Sequence, residues 1–194
     1  MTTAQRKAPP VMDVAEFIEW PGDGTGMRYE LVDGAVRAMA PASDAHNTIV
    51  SNLNGLLYIH LLKARPGCRV VNGPGVQPRI RAEWNFRIPD LGVTCAANVP
   101  HDVFTPEPIL LVEVLSPSNT ADTRENIWTY TTLPSVQEIL VVHSVRQKAE
   151  LLTRDAIGNW PPNPAIIEPG SNVTLSSISA KLTFAEIYAG THLV

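Results

Sequence analysis

The residue in this sequence that most needs a physical explanation is Glu113. It stands within Ile109-Leu110-Leu111-Val112-Glu113-Val114-Leu115, where every neighbour is apolar. Such a run is the mark of a strand buried on both faces, and a lone carboxylate there is costly unless an arginine or a metal ion compensates it. Asp90 is its natural companion. If Ile88–Cys95 and Ile109–Leu115 pair as an antiparallel hairpin, a symmetric loop with residue 95 opposite 108 sets Asp90 opposite Glu113. Two adjacent carboxylates repel, and a hard divalent cation relieves that repulsion. The plainer alternative for Asp90 is a turn-capping aspartate.

The elements that must position these acids follow from periodicity and punctuation. Asp13 caps a short helix through Trp20 that Pro21-Gly22 ends. Arg28 to Ala40 reads as a hairpin about the Asp33-Gly34 turn, which places Glu30 on its first strand. Ser43 or Asp44 caps a helix running from Ala45 to about Lys63, with His46, Ile49, Val50, Leu53, Leu57 and Leu61 on one face. That face makes His46 a candidate either for the core or for a site. Two strands are expected next, Arg69 to Asn72 and Val76 to Ile80. The Ile88–Cys95 and Ile109–Leu115 pair follows, then the Ser116-Pro117-Ser118-Asn119 turn and a helix from Thr120 to Thr132. Gln137 to Val142 is a second buried strand, so strand, helix and strand imply a parallel crossover. Val145 to Arg154 adds a hairpin strand, the tail is proline-rich between Trp160 and Pro169, and Leu182 to Tyr188 reads as a last short helix.

A length of 194 residues with 44% hydrophobic and 18% charged residues fits one globular domain and excludes disorder. No apolar region follows the charged, proline-containing first ten residues, and no run approaches the roughly 18 apolar residues of a membrane span. A cytoplasmic, non-membrane protein is therefore expected, with Cys68 and Cys95 as reduced buried thiols. The net charge of −4 argues against a broad basic face for duplex DNA.

Several short motifs occur in a set order: Tyr29-Glu30-Leu31-Val32-Asp33-Gly34, His46 opening a helix, Pro89-Asp90, Val112-Glu113-Val114-Leu115-Ser116-Pro117-Ser118, and Asp122 with Tyr130 eight residues later. In this series the chain resembles the Uma-type restriction-endonuclease family, a branch of the PD-(D/E)XK nuclease superfamily, over about Met12 to Arg154. The resemblance implies an α/β fold, a restriction-endonuclease-like mixed β-sheet flanked by α-helices in a single domain. It also implies a Mg2+ site, with Mn2+ as the alternative, formed by Glu30, Asp90, Glu113 and the backbone carbonyl of Val114. His46, Asp122 and Tyr130 are implied as supporting residues.

One departure bears on activity. The superfamily pattern carries a lysine two positions after the glutamate, where this chain has Leu115, or, in the Uma-type family, four residues after the helical aspartate, where it has Asn126. Asp122, Asn126 and Tyr130 share a helical face, but an amide carries no charge and serves only as a hydrogen-bonding group. The leading expectation is a magnesium-dependent endonuclease acting on DNA, with a homodimer suited to cutting both strands. The alternatives are a pseudo-nuclease serving as a binding module, and a metal-dependent hydrolase of a smaller phosphate substrate.

Overall fold

The computed structural model describes residues 11–117 and 120–194. The first ten residues, and Ser118 and Asn119 of the expected turn, lie outside them. Asp13 closes a capping box with Glu16 at the start of α1 (Val14–Glu19). β1 (Tyr29–Val32) and β2 (Ala35–Ala38) form the expected hairpin, its turn made by Asp33 and Gly34 at φ of 50° and 85°. Ser43 caps α2 (Asp44–Ala64) by accepting from the His46 N–H. There follow β3 (Arg69–Asn72), β4 (Leu91–Thr94), β5 (Pro108–Leu115), α3 (Thr120–Tyr130), β6 (Glu138–His143) and β7 (Ala149–Thr153). The chain ends with β8 (Ala165–Ile167), β9 (Asn172–Leu175), β10 (Ala180–Thr183) and α4 (Phe184–Ile187).

Strands β3 to β8 form one sheet in sequence order, and every pairing is antiparallel except β5 with β6, which α3 joins as a parallel crossover. Side-chain alternation splits β5 between two layers. Leu110, Val112 and Val114 pack with Ile49, Leu53, Leu57 and Leu61 of α2 and with the β9–β10 hairpin and α4. Leu111 and Leu115 pack with Ile127 and Tyr130 of α3. A third cluster, including Phe86, Leu31 and Val14, fastens the β1–β2 hairpin beside the sheet. The chain is thus a mixed sheet flanked by helices, as expected, and no helix among the described residues is long and apolar enough to cross a membrane.

Three local expectations need correction. Val76 to Ile80 is not a strand: only Gly75 and Val76 make isolated bridges, because Pro78 lacks an amide hydrogen and the chain then turns through Arg81 at φ 44°. Leu182 and Thr183 belong to β10, and the last helix starts only where Thr183 and Glu186 close a second capping box. Cys68 and Cys95 are not free thiols but a disulfide. Arg69 pairs with Thr94, so the residues just outside that pair meet across the strands.

Candidate active site

The antiparallel register of β4 and β5 brings the two central acids together. Leu91 lies opposite Val112, so Asp90 and Glu113 are the next pair toward the open end of the ladder. A bulge between Val93 and Thr94 changes the register only at the far end, where Thr94 meets Pro108. Asp90 Oδ2 accepts the Val114 N–H at 2.7 Å and lies 3.3 Å from His46 Nε2. The first turn of α2 thereby reaches the sheet end, and the other ring nitrogen, His46 Nδ1, is buried with no bonded partner among the described residues.

Glu113 is 6% exposed and accepts a 2.7 Å hydrogen bond from the Tyr130 hydroxyl. Its partner is therefore a phenol rather than an arginine. Burial pushes the Glu113 carboxyl well above the usual carboxylate range; the neighbouring Asp90 raises it further, with a smaller push from Glu30. Burial, and then the charge of Glu113, likewise pushes the Tyr130 hydroxyl up.

Glu30 reaches the same region from β1. It accepts the Ile88 N–H at 2.8 Å and the Asn126 amide at 3.1 and 3.3 Å. Asn126 is buried on α3 and turns its oxygen to Arg87 Nε at 2.8 Å, while Arg87 Nη1 donates to the Leu31 carbonyl. The Arg87 side chain is 1% exposed, and its burial lowers the guanidinium pKa against the opposing pull of Glu30. Asn126 thus couples a buried cation to a buried acid. Asp122 stands at the rim instead, 53% exposed, paired with Arg37 at 2.9 Å; Arg37 also meets Glu125 at 3.1 Å. Val114 contributes its N–H to Asp90.

These side chains border an open cleft of about 490 Å³ that Glu30, His46, Asp90, Glu113, Asn126 and Asp122 all line. Sequence reasoning missed Arg87 as a member of the centre. The available signal was indirect: an arginine between the apolar Phe86 and Ile88, and a group of buried acids in need of an opposing charge.

The donor chemistry suits a hard cation. Among the described residues no three His, Cys, Asp or Glu side chains converge as a ready ligand set. Asp90 and Glu113 remain as a repelling carboxylate pair facing a cleft. Magnesium commonly keeps several waters and takes only one or two protein carboxylates, so the pair fits it. The oxygens of Glu30 are already engaged by Asn126 and the Ile88 amide, which places it at the margin of such a site.

Comparison with known proteins bears on the family and the fold. A family profile named Uma2 and described as "Putative restriction endonuclease" matches residues 14–185. An uncharacterized protein, slr1290, of Synechocystis sp. is 30% identical over 156 residues, covering 78% of each chain. A crystal structure of "a putative nuclease belonging to DUF820" from Anabaena variabilis superposes with a TM-score of 0.71 at 16% identity, covering 93% of this chain and 98% of that one. At that identity the superposition speaks to the fold.

Proposed function

This chain belongs to the Uma2 family of "putative restriction endonucleases", and from that membership we propose that it is a metal-dependent endonuclease that hydrolyses phosphodiester bonds of DNA at the Asp90–Glu113 centre. The observation that carries the reading is Glu113: a carboxyl whose pKa is raised by burial and then by its neighbour Asp90, opening on a cleft rather than closed against a cationic side chain.

Asp90 and Glu113 would hold magnesium or manganese, which when bound polarises a phosphate oxygen and lowers the pKa of a bound water. The protein's own part is to orient. The Val114 N–H and His46 Nε2 fix Asp90, and the Tyr130 hydroxyl fixes Glu113. Both carboxylates therefore meet an incoming ion with little freedom left to lose. Asn126 adds no charge to the reacting phosphate; it holds Glu30 in place. The absence of a lysine there removes a charge stabiliser worth about a hundredfold in rate.

The position of Asn126 favours a second reading. Its amide is engaged on both sides, by Arg87 and by Glu30, and serves the packing of the centre. A pseudo-nuclease that binds nucleic acid without cutting would look the same. Nicking of supercoiled plasmid separates the two. The endonuclease reading expects slow nicking with magnesium, faster nicking with manganese, and none from Asp90→Ala. A wild-type protein that binds the plasmid but never nicks it supports the pseudo-nuclease. Nicking that survives Asp90→Ala places the chemistry elsewhere.

A further inference from the structure

Acids form the floor of the cleft, so a cation at the mouth would help to draw in a phosphate-bearing chain. The β1–β2 hairpin supplies two candidates on its cleft-facing side. Arg37 pairs with Glu30 across the ladder. Arg28 precedes Glu30 by two positions and so shares its face, and the ladder reaches it through the Met39 N–H bonded to the Arg28 carbonyl at 2.8 Å. Both line the cleft. Arg37 is committed to Asp122 and Glu125 at 2.9 and 3.1 Å. The guanidinium of Arg28 has no hydrogen-bond or ion-pair partner among the described residues, although it lies in the cleft lining and not on a remote surface.

Gly73 leaves room for it. A β-carbon on that residue would lie 2.3 Å from Arg28 Nη2, 3.2 Å from Cζ and 3.3 Å from Nη1. The Nη2 edge of the guanidinium therefore occupies the space that a side chain at this position would take. Gly73 in turn donates its N–H to the Asp90 carbonyl at 2.9 Å, so the cation is seated on the segment that carries one of the central acids. We propose that Arg28, at the cleft mouth beside Gly73, is an anion clamp that takes one phosphate of a polynucleotide and presents the strand to the acidic floor. A planar fork of donors suits two phosphate oxygens at once. With a net charge of −4 the chain offers no broad basic face, so a clamp on a single phosphate is the scale of contact it can make. This inference rests on the DNA reading above.

The test is fluorescence anisotropy of a labelled duplex over a series of salt concentrations, with EDTA and again with magnesium, on the full chain. Each phosphate contact contributes roughly one unit to the log–log salt slope. Arg28→Gln should weaken binding about tenfold at low salt and flatten the slope by about one, whatever the duplex sequence. Arg28→Lys should recover part of both, because it restores the charge but not the fork. Melting curves should show Arg28→Gln as stable as wild type, because an exposed, unpaired side chain is being removed. Wild type and Arg28→Gln binding with equal affinity and equal slope overturns the clamp and leaves the DNA reading intact. Wild type that binds no duplex in either buffer overturns both.

Discussion

The amide of Asn126 faces two ways, its oxygen toward Arg87 and its nitrogen toward Glu30. Both partners are buried, so removing the amide takes one hydrogen bond from a guanidinium and one from a carboxylate, leaving Arg87 the Leu31 carbonyl and Glu30 the Ile88 N–H. Leaving a charged group without its hydrogen bond costs more than the bond itself contributes. Asn126→Ala should therefore lower unfolding stability by about 2–3 kcal/mol, read as a shift in the urea midpoint; a loss under about 0.5 kcal/mol, the scatter of surface changes, would contradict the bridge. Asn126→Lys would set an ammonium beside the guanidinium of Arg87 as well as beside Glu30. At this scale the sequence was uneven as a guide. Glu113 was conspicuous because its neighbours along the chain are all apolar. Arg87 was not, because its partners lie 39 residues away at Asn126 and 56 away at Leu31. The pairing of Cys68 with Cys95 was hidden for the same reason: it depends on a strand register that only the folded sheet defines.

Elements carry the site through their register and their ends. The β4–β5 pairing was legible because the two apolar runs and a symmetric loop fix which residues oppose, and the bulge at Val93 and Thr94 falls away from the acids. β8, β9 and β10 were not, since they are short segments of three or four residues set among prolines and turns. Helix α3 is held to the sheet beyond the cleft by Glu150 of β7. That carboxylate takes a forked pair of bonds from Arg124 at 2.5 and 2.9 Å, and its oxygen also lies 2.8 Å from His143 Nε2 on β6. Chiefly through the Arg124 bonds, its pKa is lowered from 4.5 to about 2. A depressed carboxylate stabilises the fold fully above its unfolded value and loses that contribution as pH falls from about 4.5 toward 2. Burial lowers His143 below 6.5, so charging it in acid adds a decline in the same direction. Melting temperature followed from pH 7 downward should fall more steeply for wild type than for Glu150→Gln, which starts lower. Parallel curves would show that the network does not couple to folding.

In the whole molecule the cleft lies where four parts meet: the β1–β2 hairpin, the first turn of α2, the open end of the β4–β5 ladder and the exposed rim of α3. The hairpin is anchored in one apolar cluster, α2 and the β4–β5 ladder in a second, and α3 in a third, so the acids are assembled by the fold as a whole and not by a local motif. That arrangement explains why a net charge of −4 coexists with a nuclease-like fold: the acids are concentrated where an ion would sit, and few cations face the cleft. As proposed above, Asp90 and Glu113 together would hold a divalent ion. The direct measurement is equilibrium binding of Mn2+ followed by the free-ion electron paramagnetic resonance signal, for wild type and for the Asp90→Asn and Glu113→Gln variants, each checked for folding by its melting curve. Wild type should take up the ion with a matching rise in melting temperature, and each variant should bind at least about tenfold more weakly. Equal Mn2+ affinity in wild type and in the folded variants, or no uptake by wild type, would contradict it.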